Sequence, residues 1–166
     1  GAVVVGPSDE VGIGPTVWGS DGSQADAIRQ EPDWVSFADN PDQKRPWIIM
    51  EGTAVFRWAA FEMGKIARQV ADKAGVELAA LDAFGPHQAN LRINDVIVRQ
   101  LDLPETVAVA DDIIETGNTS AASIPLAMEK MLRTGQVRPG GLAMLLAFGA
   151  GLSYAGQVVK MPQLAQ

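Results

Sequence analysis

The sequence contains no cysteine and only one histidine, His87. Without thiols, the chain cannot form disulfides, a thiolate nucleophile or a thiolate-ligated zinc site. A single imidazole also excludes a metal site built from several histidines. Any chemistry carried out by these 166 residues must therefore use His87, carboxylates, hydroxyls or amides. We expect no bound cofactor.

Positive charge is scarce, with 13 lysines and arginines against 20 acidic residues, a net charge of −7. This balance argues against a nucleic-acid partner, which requires a basic surface, but it allows a small basic patch for one acidic partner. No apolar run approaches the roughly 20 residues of a membrane span, and no charged secretory leader opens the chain. We expect a cytoplasmic protein without a membrane partner.

The chain begins at Gly1 in an apolar run and has no initiator methionine. We expect it to be a piece of a longer protein, forming one domain over residues 1–166.

Hydrophobic periodicity predicts alternating strands and helices. Residues 53–74 are the clearest helix, because their apolar side chains fall on one stripe and Gly75 follows as a stop signal. The strands are predicted at residues 2–5, 12–22, 47–50, 81–84, 106–110, 142–148 and 152–161. Further helices are predicted at residues 90–101 and from 118 to just before 135, with a loop at 31–46 and a frayed tail at 162–166.

This order of elements predicts an α/β domain whose sheet is mixed, since the last two strands form a hairpin. Asn118 and the two residues after it are expected to cap the last helix. Pro125 is expected to bend that helix if it lies beyond the first turn.

Three segments place polar or aromatic residues where a strand meets a turn, namely residues 86–93, 117–123 and 148–151. Taken singly, each has an ordinary explanation. A lone His87 can be a packing residue, Asn118 can be a helix cap, and Phe148 can belong to the core. The glycines after Phe148 lack the spacing of a phosphate-binding loop.

Taken together, these segments and residues 51–57 resemble the C-terminal half of the β-ketoacyl-acyl carrier protein synthase III family, over essentially the whole chain from 1 to 161. The resemblance implies a thiolase-like α/β half-domain with a mixed sheet covered by helices. It also implies that the nucleophilic cysteine belongs to an absent N-terminal half. The intact enzyme is then a homodimer.

The resemblance further implies roles for individual residues. His87 and Asn118 match the catalytic histidine and asparagine, which stabilise an enolate after malonyl decarboxylation. The residues matched to the substrate, a coenzyme A or carrier-protein thioester, are Phe56, Ala59, Asn90, Arg92 and Phe148. Those matched to the acyl carrier protein are Arg57, Arg92 and Arg99.

Alternatives remain for these assignments. The basic residues can be ordinary solvated charges, and Asp95 weakens the patch between Arg92 and Arg99.

The implied activity is decarboxylative condensation of an acyl group from acyl-coenzyme A with malonyl-acyl carrier protein. Without the cysteine, the chain can instead be part of a malonyl-thioester decarboxylase or a non-catalytic structural subunit.

Overall fold

The computed structural model describes residues 1–164. The strands are β1 (Val17–Ser20), β2 (Ile28–Glu31), β3 (Trp47–Met50), β4 (Ala83–Pro86), β5 (Ala108–Val109), β6 (Leu142–Gly149) and β7 (Ser153–Lys160). The α-helices are α1 (Trp34–Asp39), α2 (Gly52–Ala74), α3 (Leu91–Leu101), α4 (Ile113–Thr116) and α5 (Ser123–Arg133). Segments of 3-10 helix lie at Gly22–Ala27, Leu78–Ala80, Ser120–Ala122 and Ala150–Leu152.

Five strands form one sheet in the order β1-β7-β6-β4-β5, while β2 and β3 form a separate antiparallel pair. In the large sheet β4 runs parallel to β5 and β6, whereas β7 runs antiparallel to β6 and β1. The predicted mixed sheet and its closing hairpin are therefore confirmed.

Helices cover both faces of the large sheet. Phe84, Met144 and Val158 pack into the core beneath α2 and α3, whereas Ala83, Ala143 and Val159 belong to the cluster with α5. In each strand a residue of the first set is the sequence neighbour of a residue of the second set, and successive side chains of a strand point to opposite faces of the sheet. The helices therefore form one layer on each side of the sheet.

The boundaries of α2 follow from its sequence. Its buried residues form the predicted stripe, which includes Val55, Ala59 and Val70. Gly75 ends the helix in the left-handed conformation, at φ 66°, and donates its N–H to the carbonyl of Ala71. The helix predicted at 53–74 is confirmed.

A glycine allows α2 to approach the sheet closely. A Cβ atom on Gly156 of β7 would lie 2.7 Å from Cγ2 of Val70 and 2.9 Å from Cδ1 of Leu146. A side chain at position 156 would therefore overlap with these core residues beneath α2.

Two hydrogen bonds join the residue before β4 to the first residue of β6. The backbone N–H of Asp82 donates to the carbonyl of Leu142 over 2.8 Å, and the N–H of Leu142 donates to Oδ2 of Asp82, also over 2.8 Å. This reciprocal pair fixes where the parallel pairing of the two strands begins.

The strand predicted at 2–5 is wrong. These residues form no strand, and Val4 is fully exposed. Within residues 1–164 no neighbouring strand pairs with them, so their apolar character alone does not produce a strand. The stretch 12–22 is extended only in part, as β1 together with a bridge between Ile13 and Val159.

The loop predicted at 31–46 contains a helix, α1. Asp33 caps it, because its carboxylate accepts the N–H groups of Val35 and Ser36, both over 2.9 Å. The short helix α4 was also not predicted. Pro125 is the third residue of α5 and lies in the first turn, where backbone N–H groups have no acceptor within the helix. The bend expected for a proline beyond the first turn therefore does not occur. Residues 162–164 have no regular secondary structure, and the rest of the predicted tail lies outside the described residues.

None of the helices in residues 1–164 combines the length and the apolar character that crossing a lipid bilayer requires.

Candidate functional site

His87 follows the C-terminal end of β4, next to the end of β6. Its backbone N–H donates to the carbonyl of Leu146 over 2.7 Å, continuing the parallel ladder by one residue. Phe148 lies two residues further along β6, and its ring meets the imidazole edge to face with centroids 5.7 Å apart. The C-terminal ends of parallel strands are where α/β sheets bind ligands, so the two residues stand at the expected edge.

The other side of the imidazole meets the beginning of α5. Nδ1 of His87 lies 2.6 Å from Oγ of Ser123, the first residue of that helix. Burial lowers the pKa of His87 below its ordinary value of 6.5. Burial therefore favours the neutral imidazole, which is the protonation state that the predicted role requires.

Gln88 holds the backbone around His87 in place. Its side chain is completely buried, and its amide nitrogen donates to the carbonyls of Pro86, over 2.8 Å, and Ala110, over 3.2 Å. Its amide oxygen accepts the N–H of Ile113 over 3.1 Å. One side chain thus joins the ends of β4 and β5 to the start of α4.

Lys130 joins α5 to the segment that leads to Asn118. Its ammonium group lies 3.2 Å from a carboxylate oxygen of Asp111, 3.4 Å from Glu115 and 3.9 Å from Asp112. The side chains of Lys130 and Asp112 are largely buried, at 13% and 6% exposure, whereas those of Asp111 and Glu115 are exposed. The loop before Asn118 is consequently held against the same helix that carries Ser123.

Asn118 is exposed on the loop between α4 and α5, five residues before Ser123. Its Oδ1 accepts the N–H of Ser120 over 2.8 Å, and Ser120 has a φ of 56°, unusual for a residue with a side chain. This bond holds the backbone just before the turn at Ser120–Ala122, and the predicted capping of the last helix is wrong, because α5 begins at Ser123 without a side-chain cap from the described part of the chain. The amide nitrogen of Asn118 donates to no group within residues 1–164. No hydrogen bond joins it directly to His87 in that part of the chain. Its catalytic role stays a prediction.

Two further aromatic residues extend the site behind Phe148. The ring of Trp58 on α2 lies 6.1 Å from that of Phe148 and 6.3 Å from that of Tyr154, centroid to centroid. Trp58 was not predicted as a site residue, although it lies on the apolar stripe of α2. Its ring packs near that of Phe148, which in turn contacts His87.

The predicted substrate residues fall into different environments. Phe56 is half-buried on α2, while Asn90 is exposed and caps α3 by accepting the N–H of Arg92 over 2.9 Å. Ala59 is fully buried in the core, so its side chain offers no surface to a ligand in this conformation. That residue is better explained as a small packing position on α2.

The predicted docking residues Arg57, Arg92 and Arg99 are exposed and form no salt bridge within the described part of the chain. Gln100, next to Arg99, is also exposed and donates its side-chain amide to the carbonyl of Ala60 over 2.5 Å. Since Ala60 lies about one turn from Arg57 on α2, this bond places Arg57 and Arg99 in the same region of the helix pair.

Sequence comparison relates the chain to one group of proteins. The family model described as 3-oxoacyl-[acyl-carrier-protein] synthase III C terminal matches residues 71–161. The chain is 61% identical over 161 residues to the mycobacterial β-ketoacyl-[acyl-carrier-protein] synthase III of Mycobacterium ulcerans, covering 97% of this chain and 48% of the relative. Identity to the synthase III of Mycobacteroides abscessus is 58% over 164 residues, covering 98% and 48%.

Solved structures agree with this relationship. The priming β-ketosynthase of the R1128 polyketide pathway has a TM-score of 0.91 at 46% identity, covering 95% of this chain and 47% of that one. The 3-oxoacyl-(acyl carrier protein) synthase III of Pseudomonas aeruginosa has a TM-score of 0.82 at 36% identity, covering 98% and 48%. The predicted thiolase-like α/β half-domain is thus confirmed, and the chain spans about half the length of the curated relatives it matches.

Proposed function

Because the chain belongs to the 3-oxoacyl-[acyl-carrier-protein] synthase III C-terminal family, we propose that it forms half of a condensing enzyme that initiates fatty acid synthesis. The reaction is decarboxylative condensation of an acyl group from acyl-coenzyme A with malonyl-acyl carrier protein. The observation that carries this proposal is the neutral, half-buried His87 beside Phe148 at the C-terminal edge of the sheet.

His87 and Asn118 serve the decarboxylation step. Loss of carbon dioxide from the malonyl group places negative charge on the thioester oxygen. A ring N–H of a neutral imidazole and the free amide nitrogen of Asn118 can both donate hydrogen bonds to that enolate. One preorganised donor of this kind contributes about 3–4 kcal/mol, roughly a hundredfold to a thousandfold in rate.

Phe148 serves the departure of carbon dioxide. An apolar ring beside the malonyl carboxylate disfavours the charged group relative to neutral carbon dioxide. Trp58 adds to this apolar environment, because its ring lies 6.1 Å from that of Phe148, centroid to centroid. Phe56, Asn90 and Arg92 are proposed to contact the pantetheine and phosphate groups of the substrate.

The other half of the reaction needs a cysteine that this chain does not contain. We place it on an N-terminal half, where its thiolate accepts the acyl group from acyl-coenzyme A and free coenzyme A leaves. The enolate formed by malonyl decarboxylation then attacks the acyl carbon of that thioester, and the cysteine thiolate leaves. Coenzyme A is therefore a substrate, and no further cofactor is needed. The intact enzyme is proposed to be a cytoplasmic homodimer.

An acidic acyl carrier protein is the proposed partner of Arg57, Arg92 and Arg99. Exposed arginines without internal partners are free to pair with carboxylates of another protein.

The test combines the chain with an N-terminal half that carries the cysteine, and measures carbon dioxide release and condensation separately. His87→Ala and Asn118→Ala should each lower carbon dioxide release about a hundredfold to a thousandfold. Asn40→Ala, an exposed asparagine at the end of α1, is the matched control and should have no effect.

The alternatives give different results in the same assay. Carbon dioxide release without condensation, despite an acylated cysteine, would instead support a malonyl-thioester decarboxylase. Absence of both activities in a folded complex would favour a non-catalytic subunit and overturn the proposal.

A further inference from the structure

The hydroxyl of Ser123 lies between two groups of the His87 segment. Its Oγ is 2.6 Å from Nδ1 of His87 and accepts the backbone N–H of Gln88 over 3.2 Å. Ser123 is 1% exposed. Within residues 1–164 its hydroxyl makes no other hydrogen bond, so these two contacts must account for its proton and its lone pairs.

The position of the hydroxyl proton follows from counting donors and acceptors. A serine hydroxyl has one proton and two lone pairs. The N–H of Gln88 occupies one lone pair, and within residues 1–164 Nδ1 of His87 is the one acceptor in hydrogen-bond contact with the hydroxyl. If Nδ1 carried a proton instead, the hydroxyl proton would be buried without an acceptor. The cost of such an unsatisfied donor favours the arrangement with an unprotonated Nδ1 by roughly tenfold or more.

We propose that Ser123 is a positioning residue that fixes neutral His87 as the Nε2–H tautomer. The hydroxyl donates to Nδ1, which leaves Nε2–H as the single donor of the ring, directed away from α5. The same hydroxyl holds the backbone of Gln88, so ring and main chain are aligned by one group. The value of this arrangement for catalysis rests on the proposed function, in which a neutral ring N–H stabilises an enolate.

The location of Ser123 at the start of α5 adds to this effect. The N-terminal end of a helix carries partial positive charge and disfavours a second positive charge nearby. Burial acts in the same direction, since it lowers the pKa of His87. The imidazole is therefore held both in one tautomer and in its neutral form.

The direct test is nitrogen NMR of the 166-residue chain labelled with ¹⁵N-histidine. Because His87 is the only histidine, the spectrum contains a single imidazole. At pH 8 we expect an unprotonated Nδ1 and a protonated Nε2, with one tautomer dominant. A protonated Nδ1, or equal populations of the two tautomers, in the unmodified chain overturns the proposal without any mutation.

Variants test whether Ser123 is the cause. Ser123→Ala should produce exchange between the two tautomers, whereas Ser123→Thr, which retains a hydroxyl, should keep the dominant Nε2–H form. Ser120→Ala is the matched control, because its hydroxyl lies in the same segment and makes no hydrogen bond within residues 1–164. An unchanged tautomer in a folded Ser123→Ala chain would contradict the assignment. If Ser123→Ala does not fold, the tautomer of His87 in the unmodified chain and in Ser123→Thr tests the proposal.

Kinetics then separate this inference from the proposed function. In a complex with the N-terminal half, Ser123→Ala should lower kcat for carbon dioxide release about tenfold, leave KM within twofold, and recover in Ser123→Thr. A fixed Nε2–H tautomer in an inactive complex refutes the proposed function and leaves the tautomer assignment intact. Full activity in Ser123→Ala with mixed tautomers refutes the positioning role.

Discussion

The ring of Phe148 meets the imidazole of His87 edge to face, with centroids 5.7 Å apart and planes inclined by 72°. Phe148 of β6 therefore covers the side chain of His87, which follows the parallel neighbouring strand β4. Burial of this kind lowers the pKa of His87, and none of the salt bridges of residues 1–164 involves the ring.

The depressed pKa of His87 makes stability depend on pH in a defined window. At pH values above about 6.5, the ordinary pKa of a histidine in an unfolded chain, the ring is neutral in both the folded and the unfolded state. Its contribution to the free energy of unfolding is then constant. As pH falls below 6.5, the unfolded state binds a proton that the folded state resists, so stability is lost. Urea unfolding between pH 8 and 5 should therefore show a decline that His87→Gln reduces.

Three carboxylates with lowered pKa values contribute outside this window. The pKa values of Glu10, Asp21 and Asp33 are lowered below their ordinary values of 4.5, 3.8 and 3.8, so their contributions disappear only at more acidic pH. An equal decline in the unmodified chain and in His87→Gln between pH 6.5 and 5 would contradict the assignment.

Arg99 is predicted to act on the carrier protein alone. Arg99→Glu should raise KM for malonyl-acyl carrier protein about threefold to tenfold, because a rim charge acts chiefly on association, and should flatten the salt dependence. KM for malonyl-coenzyme A should stay the same. Arg138→Glu makes the same charge change in the loop before β6 and serves as the control.

Arg92 follows the exposed cap of α3 and is predicted to touch the coenzyme phosphates as well. Arg92→Glu should therefore impair both substrates. Equal losses on both substrates for Arg99→Glu would show that Arg99 has no role specific to the carrier protein.

Gly156 is predicted to tolerate no side chain. Gly156→Ala should destabilise the fold by about 1–3 kcal/mol, because the new methyl group would press on Val70 and Leu146. Gly22→Ala, where the surrounding space is open, is the control. Chemical denaturation measures the difference. A stability equal to that of the control would mean that α2 can move away from the sheet without cost.

Asn94 on α3 is buried, 2% exposed, and neither its Nδ2 nor its Oδ1 has a hydrogen-bond partner within residues 1–164. Replacing an unsatisfied amide with an apolar side chain of similar volume removes its desolvation cost. Asn94→Leu should therefore raise the free energy of unfolding by about 1–3 kcal/mol. A loss of stability in this variant would reveal a polar contact that the amide makes in the folded protein.

The helices were predictable where one face of a periodic segment is buried. The stripe of α2 and the cap Asn90 of α3 specify these elements through local residues. Residues 2–5 show the limit of such reasoning, because an apolar run becomes a strand only when another strand pairs with it. In α1 the cap Asp33 was present in the sequence, but the surrounding prolines and aspartates indicated a loop.

For the site, the sequence identified His87 and Phe148, which the fold brings into contact. Ser123 was part of a recognised motif, yet its contact with His87 spans 36 residues and depends on how α5 meets the sheet. Contacts of this kind are not encoded in local periodicity. The buried position of Ala59 was missed for a related reason: a small residue on a helix can face either a ligand or the core.

The reciprocal hydrogen bonds between Asp82 and Leu142 also restrict how the length of the chain can vary. Counted from Leu142, Phe148 is the seventh residue of β6, and its side chain faces His87 only in that register. Removing or adding one residue between them would turn Phe148 to the opposite face of the sheet. Insertions in the turn at 134–140 leave this count unchanged. Length variation in related or engineered chains should therefore be tolerated in the turn at 134–140 and excluded between Leu142 and Phe148.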